Sequence, residues 1–483
     1  MKKIISVIAV VVMAASVFSV ASCKKGGKIK LYFDGGGGSG NYNSTLSMTQ
    51  SAANPYPYNT LEKLAEEWNK GNDKFEVVIN RNSLNGMRSA ITGLLSAGTA
   101  PDMIYQAGGV INDDIGKGWY ADLTPYFDTS DPYAGGILWK DLYNAQELDA
   151  TKAADGKIYY ACLDRVTVGL MYNKDILASA GITALPETYS EFIKCLADLK
   201  AAKDSGKISA EIYLHQGFWN EIYLNTSVYG GKVKEWDTDG NSMVSSYELV
   251  KAYKEGKWDY NDEEFNEYLN LCFQKAVYYP QNYLAYDTAS KFAKGQLAIT
   301  DGLGNHMKIA YRSLKDKLAV SGYPMLDGAA SKFGGNVCVR GSAGLSTAYW
   351  VTNSAVNKGQ DAVDACVDFL KFLSAPENNA KMVNDLGFAL PLNVADNDTE
   401  LFSSLSEQYE RDMKAENRLL WSAVNTFNSF GQEFADTYEK GMGEFYGENH
   451  RGENSYIIDL LQSKLPLTVN EMIEKYGWSF NRK

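Results

Sequence analysis

A twelve-residue stretch, DTDGNSMVSSYE at residues 237–248, has the side-chain spacing of a calcium-binding loop. Oxygen-bearing side chains stand at its positions 1, 3, 5, 9 and 12, as they do in an EF-hand. Position 6 is glycine in that motif because the chain turns sharply there, but here it is Ser242. A hairpin turn followed by a helix that Ser245 and Glu248 cap would explain the same residues without an ion. We therefore expect no metal at this loop.

A glycine-rich segment directly follows the strand-like run IKLYF. Gly35, Gly37 and Gly40 satisfy the GxGxxG spacing of dinucleotide-binding proteins. That motif needs a helix N-terminus directly afterwards to hold the pyrophosphate, whereas Asn, Ser, Thr and two prolines follow here. The segment therefore predicts a flexible loop that faces a ligand, and we expect no cofactor.

Residues with the usual catalytic spacings are scarce. The three histidines, His215, His306 and His450, stand far apart, and neither HExxH nor GxSxG occurs. The chain has 59 acidic residues, so pairs of carboxylates for acid/base chemistry are always available in principle. The sequence favours a binding protein over an enzyme, and a secreted carbohydrate-active hydrolase stays as the alternative.

Aromatic residues are abundant, at 12% of the chain, and one cluster of them adjoins polar groups. The stretch GFWNEIY places Phe218 and Trp219 directly before Asn220. Sugar rings stack their apolar C–H faces on aromatic side chains, while their hydroxyl groups need polar partners. The same stretch would serve equally well as a helix that fills a core with aromatic rings.

The first residues resemble a bacterial lipoprotein signal. Two lysines precede an apolar stretch from Ile4 to Val20, and Val20-Ala21-Ser22-Cys23 resembles a lipobox, in which cleavage exposes the cysteine for lipid modification. An uncleaved membrane anchor is the alternative, since the stretch is nearly long enough to cross a bilayer. We expect residues 1–22 to be a signal peptide and Cys23 to be the lipidation site.

Composition limits the partners and the number of disulfides. Loss of residues 1–22 would take the formal net charge from −12 to −14, so the surface is acidic and a nucleic acid is not expected to bind. Besides Cys23 the chain has five cysteines, none in CxxC spacing, so at least one of them is unpaired within the chain. We expect a monomer.

Strand-like and helix-like segments alternate along the chain, which predicts an α/β fold with parallel sheets covered by helices. A helix is expected to begin near Thr60, with Leu61, Leu64, Ala65 and Trp68 on one face. Thr188 and Glu191 predict a capping box ahead of a further helix.

Several segments resemble, in order and spacing, the extracellular solute-binding proteins of bacterial ABC importers, in the sugar-binding group that includes maltose-binding protein. They are AGTAPDMIYQ, GKIYYA, GLMYNKDILASAGITALPETYSEF, FAKGQLAITDG and DFLKFLSAPENNAKMV. The resemblance covers about Lys28 to Trp421. It implies a two-lobed fold like that of periplasmic binding proteins, in which each lobe is a mainly parallel sheet flanked by helices and a hinged cleft closes on the ligand.

The resemblance also implies the lobe boundaries and the role of the chain. Lobe one should hold residues 28–163 and 325–388, and lobe two residues 166–322 and 390–483. The chain would be anchored by lipid at the outer face of a bacterial membrane, in the periplasm or at the cell surface. There it would capture a solute, which the resemblance implies to be a sugar or oligosaccharide, and deliver it to an ABC permease.

Matching positions in the family imply which residues face the ligand. In the first lobe Asp34 falls in the loop after the first strand, Gln106 stands where maltose-binding protein stacks a tryptophan, and Gly109 stands where it has an aspartate. In the second lobe Asn305, which follows Asp301, replaces another tryptophan, whereas LLWSAV keeps the aromatic at Trp421. Simple core packing is the alternative for Trp421.

The same resemblance implies that the segment CLDRVT brings Asp164 and Arg165 to the first hinge crossing. Arg165 would suit a carboxylate or phosphate ligand, because its guanidinium matches such oxyanions. A carrier for an anionic solute is therefore an alternative, and an interlobe salt bridge with Asp164 or another acid would explain Arg165 equally well.

Overall fold

The computed structural model describes residues 27–36, 42, 58–80, 82–84 and 86–480. The predicted lipidation site Cys23 and the glycines Gly37 and Gly40 lie outside these residues. The described strands are β1 (Ile29–Asp34), β2 (Phe75–Ile79), β3 (Met103–Tyr105), β4 (Tyr160–Val166), β5 (Val168–Asn173), β6 (Glu211–Leu214), β7 (Leu297–Leu303), β8 (Leu318–Ser321), β9 (Leu345–Val351) and β10 (Ala389–Leu390).

The described α-helices alternate with these strands, and short 3-10 turns join several of them. The helices are α1 (Thr60–Gly71), α2 (Arg88–Ala97), α3 (Ile111–Asp114), α4 (Thr124–Phe127), α5 (Ala145–Asp149), α6 (Lys174–Ser179), α7 (Tyr189–Asp204), α8 (Trp219–Trp236), α9 (Ser246–Lys254), α10 (Glu263–Ala276), α11 (Thr288–Ala293), α12 (Gly304–Leu314), α13 (Asn353–Lys358), α14 (Gln360–Ser374), α15 (Pro376–Leu386), α16 (Ser403–Asp412), α17 (Gln432–Tyr446) and α18 (Asn454–Tyr476). The predicted start of α1 and the capping box at Thr188 and Glu191 are both confirmed.

The strands form two sheets, one in each lobe. Lobe one is built on a six-stranded sheet in the order β10-β4-β9-β3-β1-β2, and lobe two on a four-stranded sheet in the order β6-β7-β5-β8. Strand β4 of the first sheet leads through Thr167 directly into β5 of the second. This direct passage from one sheet into the other is the first crossing between the lobes.

The two-lobed α/β fold is confirmed, but the expectation of mainly parallel sheets is wrong. Among the described pairings, β1 with β2, β1 with β3, and β6 with β7 are parallel, whereas the other five are antiparallel. Every antiparallel pair contains β4, β5 or β9, and these are strands at which the chain enters or leaves a lobe. Helical crossovers impose parallel pairing only on strands that they join within one sheet.

Each sheet is buried on both faces, which explains the continuous apolar runs of its strands. In β9, Tyr349 and Val351 pack under α14 and α15, while Ala348 and Trp350 pack on the opposite face near α2. In lobe two the larger cluster joins β5 and β6 to α7, α8, α10, α17 and α18. A smaller cluster fills the other face, against α12 and α16.

The segment before β9 packs with the core of lobe two. Leu326 and Cys338 lie in the large core cluster of lobe two, and both fall within 325–388, the range predicted for lobe one, so the lobe boundaries stay a prediction. The Val339 N–H donates to the Leu419 carbonyl at 2.9 Å, and the Leu419 N–H donates to the Val337 carbonyl at 2.8 Å. The chain therefore runs along lobe two before it enters lobe one at β9.

The five cysteines in the described residues are all free and buried, as the odd count predicts for at least one of them. None of the helices that the structure describes is long and apolar enough to span a membrane.

Candidate functional site

The loop that follows β6 lies at the edge of lobe two that faces lobe one. Strands β6 and β7 are parallel, so their carboxyl ends lie at the same edge. The last residue of β7, Leu303, pairs with Val168, the first residue of β5 after the crossing. Residues 215–218 therefore emerge toward the hinge, at the kind of sheet edge where ligands commonly bind in α/β proteins.

A buried carboxylate organises this edge. Asp301 of β7 accepts hydrogen bonds from the backbone N–H of Gln216 at 2.7 Å and from the Tyr323 hydroxyl at 3.1 Å. The Gln216 side-chain amide donates to the Asp301 carbonyl at 2.9 Å. Burial raises the pKa of Asp301 to about 6. The predicted site residue Asp301 thus holds the loop after β6 in place.

A group of three aromatic side chains, Trp219, Trp421 and Tyr323, reaches Asp301 through the Tyr323 hydroxyl. The ring centroid of Trp421 lies 6.3 Å from that of Trp219 and 6.5 Å from that of Tyr323. Trp219 is half-buried, whereas Trp421 is only 5% exposed and its indole Nε1 has no acceptor among the described residues. The structure therefore brings together two of the predicted aromatic residues, with Trp219 presenting the more accessible ring.

The other predicted residues of lobe two lie nearby but face different surroundings. Phe218 is half-buried against His215 and Tyr438, with ring centroids 5.5 and 5.7 Å away. Asn220 is buried in the first turn of α8, and its Oδ1 has no partner within the described part of the chain. Asn305 is half-buried at the start of α12, directly after β7.

In lobe one, two predicted ligand residues have their polar atoms engaged by the protein. Asp34 is buried at the end of β1 and accepts from the backbone N–H groups of Gly36 at 3.0 Å and Leu84 at 2.8 Å. The Gln106 side chain accepts from Arg88 and donates to Tyr120. These contacts fix loops at the lobe-one edge. Gly109 is exposed in a short 3-10 turn with open space around its Cα.

Asp164 lies at the end of β4 beside the hinge and is buried. One of its carboxylate oxygens accepts from the Tyr42 hydroxyl at 2.9 Å and the Thr347 hydroxyl at 2.7 Å. The other, Oδ1, is buried without a partner among the described residues. Burial raises the pKa of Asp164 to about 6, although both hydroxyl groups work in the opposite direction.

Arg165 is committed to the protein itself. Its guanidinium pairs with Glu147 of α5, donates to the Leu392 carbonyl at 2.8 Å and lies 4.7 Å from the ring of Tyr409 on α16. The side chain is 2% exposed. The structure thus supports the salt-bridge alternative rather than an oxyanion site, with Glu147 and not Asp164 as the acid.

Sequence reasoning missed a buried charge network behind the loop after β6. Glu221 of α8 pairs with Lys275 at 2.6 Å and with His215 at 3.2 Å, and it accepts from the Tyr446 hydroxyl at 2.9 Å. Burial works to raise the pKa of Glu221, but Lys275 and His215 outweigh it and hold the pKa well below its usual range. Lys275 and Tyr446 lie far along the chain from His215 and Glu221, so no local pattern signals the network.

The calcium-like loop adopts the turn that its sequence was expected to prevent. Ser242 has a φ of 68°, in the left-handed region that glycine occupies in an EF-hand. The side-chain oxygens of Asp237, Asp239 and Glu248 lie within 4.8 Å of one another. Glu248 caps α9 and accepts backbone N–H bonds from Thr238 and Asp239. The replacement of glycine by Ser242 therefore does not prevent the sharp turn, contrary to expectation, and the absence of a metal stays a prediction.

The fold and the sequence define the class of protein. Residues 63–415 match the model of the bacterial extracellular solute-binding proteins, so the chain belongs to that family. This family consists of binding proteins rather than enzymes, and it functions outside the cytoplasm.

Individual relatives agree with the family. The chain is 30% identical over 244 residues to the diacetylchitobiose-binding protein DasA of Streptomyces coelicolor, a match that covers 50% of this chain and 52% of DasA. The chain thus spans about half the length of this curated relative.

Two solved structures show the same fold. RafE from Streptococcus pneumoniae, in its apo form, superposes with a TM-score of 0.63 at 14% identity, covering 93% of this chain and 100% of RafE. The cyclic α-maltosyl-1,6-maltose-binding protein of Arthrobacter globiformis gives a TM-score of 0.60 at 13% identity, covering 92% and 100%.

Proposed function

We propose that the protein is a saccharide carrier that binds a sugar or oligosaccharide between its two lobes. The observation that carries this proposal is the group of Trp219, Trp421 and Tyr323 beside Asp301 and Gln216 at the lobe-two edge. Aromatic faces suit the C–H faces of sugar rings, and the Gln216 amide, which the buried Asp301 holds in place, suits hydroxyl groups.

The lobe-one edge supplies polar groups for the other side of the sugar. Asp164 presents a carboxylate oxygen that lacks a partner among the described residues, next to the hydroxyl groups of Tyr42 and Thr347. A ligand that contacts both lobes would favour the closed arrangement through its higher affinity for that state. Arg165, which contacts α5 on one side and α16 on the other, would serve as a fixed point of the hinge.

Relatives support a saccharide as the ligand. DasA is named for diacetylchitobiose, and the Arthrobacter protein for a cyclic maltosyl-maltose. The anionic-solute alternative loses its main argument because the Arg165 guanidinium is paired with Glu147. The proposed ligand is therefore an uncharged sugar or oligosaccharide.

Lipid attachment at Cys23 and delivery to an ABC permease complete the proposal. Both rest on the lipobox-like residues Val20 to Cys23 and on the family. We also propose that β4, β9 and β10 with their neighbours belong to lobe one, and that residues 166–344 and those after 391 belong mainly to lobe two.

Native mass spectrometry of protein purified without refolding tests the ligand class. We expect a retained solute whose fragments have the masses of sugar units, because closed carriers release ligand slowly. A retained peptide, amino acid or phosphate ester would overturn the saccharide proposal. Metabolic lipid labelling of the wild type and Cys23→Ala would test the anchor in the same preparation.

A further inference from the structure

A second concave surface lies in lobe two beside the aromatic group. It is a cavity of about 760 Å³ between the loop after β6, the segment 283–289 and α17. This volume falls within the range of small-molecule sites, about 300–1,000 Å³. We call it the lobe-two pocket.

Aromatic and apolar side chains supply its walls. Phe218, Tyr283 and Tyr446 line the cavity. Leu284 stands at the rim with 76% of its surface exposed, the most exposed large apolar residue among those described. A large apolar side chain held in water beside aromatic rings is the kind of surface that a sugar face covers.

The walls are held rigidly by buried contacts. Glu221 holds both His215 and Tyr446 from behind, and the Tyr283 hydroxyl donates to the Gly443 carbonyl of α17 at 2.6 Å. Gln216 is fixed by its two bonds to Asp301. Pre-ordered walls lower the entropy lost on binding, so the pocket is organised for a ligand before it arrives.

The charge of the lining selects against anions. Three acidic side chains, Asp287, Asp436 and Glu439, line the pocket, and its basic groups are Lys440 and His215. Burial, and then the neighbouring Asp436, raise the pKa of Glu439, as expected where negative charge is crowded. A carboxylate or sulfate on the ligand would add to this repulsion.

The pocket is continuous in sequence with the proposed sugar site. Trp219 of the aromatic group directly follows Phe218 of the pocket wall, and Gln216 lines the pocket while it contacts Asp301. The lobe-two pocket and the aromatic group therefore share the loop after β6 and adjoin at the start of α8.

We propose that the lobe-two pocket binds the terminal part of a neutral oligosaccharide whose other units lie between the lobes. The inference rests on the proposed function and narrows its ligand class from sugars in general to chains too long for the interlobe site alone. Affinity should therefore rise with chain length until the pocket is filled.

Calorimetric titration with neutral xylo-, malto- and chito-oligosaccharides of two to six units tests this. In the series that binds, wild-type affinity should increase at least about tenfold from the shortest to the longest bound chain. Tyr283→Ala removes one wall, and Ala289→Trp fills the pocket from an exposed position at the start of α11. Both variants should lose this gain and keep the affinity for the shortest bound chain.

Ala178→Trp, at an exposed position on α6, is the matched control and should keep the gain. Three results would overturn the pocket proposal and leave the saccharide proposal standing. They are a wild-type affinity that does not rise with chain length, a rise that both pocket variants keep, and a loss of affinity in both variants that is equal for short and long chains. A gain for oligogalacturonates would contradict the charge argument. If no neutral series binds the folded wild type, the proposed function fails and the pocket proposal fails with it.

Discussion

At the scale of single residues, the two tryptophans of the aromatic group differ in how much of each ring the protein covers. Trp219 is half-buried, whereas Trp421 is 5% exposed and belongs to the large core cluster of lobe two. The same substitution should therefore separate binding from stability at these two positions.

Trp219→Ala is expected to weaken saccharide binding about thirtyfold, or about 2 kcal/mol, with a nearly unchanged melting temperature. The reason is that an accessible ring loses its contact with the sugar without leaving a large cavity. Calorimetry and thermal melts check it, with Tyr247→Ala, an exposed aromatic elsewhere in lobe two, as control. Normal affinity in Trp219→Ala would contradict the assignment.

Trp421→Ala is expected to destabilise the fold by about 3–5 kcal/mol, because the ring is packed on nearly all sides. Its stacking role stays a prediction, and binding measured on the folded fraction decides it. A destabilised variant that binds normally would leave Trp421 as a packing residue only.

Asp164 gives the stability a pH dependence. Burial raises its folded-state pKa from 3.8 to about 6, so between these values the folded chain binds more protons than the unfolded chain. Its contribution to the free energy of unfolding therefore falls as pH rises through this window. The full difference of about two pH units corresponds to about 3 kcal/mol.

Asp164→Asn should remove this component. The free energy of unfolding of the variant relative to wild type is expected to rise between pH 4 and 7, because the amide carries no charge to bury. Urea denaturation at several pH values measures it, with the exposed Asp175→Asn as control. A pH-independent difference between variant and wild type would show that Asp164 ionises normally.

At the scale of elements, Arg165 joins parts of both lobes at the crossing from β4 to β5. Arg165→Met should destabilise the protein by about 3–5 kcal/mol, because it leaves Glu147 buried without its partner. The double variant Arg165→Met/Glu147→Leu should recover part of this loss. Lys200→Met, which removes an exposed ion pair with Asp204, should cost less than about 1 kcal/mol. Equal losses in the single and double variants would argue against the ion pair as the cause.

The elements that depend on local pattern could be predicted, and those that depend on distant partners could not. The spacing of Leu61, Leu64, Ala65 and Trp68 predicts α1, and Thr188 with Glu191 predicts the start of α7; both are confirmed. The prediction of mainly parallel pairing was wrong because pairing joins strands that are distant in sequence, such as β4 and β9, which are antiparallel. Likewise, Ser242 has a left-handed backbone conformation, which a serine side chain disfavours. Hydrogen bonds within the loop, such as that from the Ser242 N–H to the Asp237 carboxylate, hold it there.

At the scale of the whole molecule, the fold follows from two sheets buried on both faces and linked by direct crossings. The resemblance of several short segments predicted this arrangement because they mark the strands and helices that every such lobe must contain. It could not predict the site in detail. Glu147 and Arg165, or Glu221 and Lys275, are brought together only by the complete fold.

Calorimetric titration of the folded chain with neutral oligosaccharides, followed by chromatography of the same mixture, decides whether the protein binds a saccharide without cleaving it. We expect saturable binding of one saccharide per chain, with a negative heat-capacity change from apolar burial and with the sugar recovered intact. Folded protein that binds no member of the panel, or that returns cleaved sugar, would contradict it.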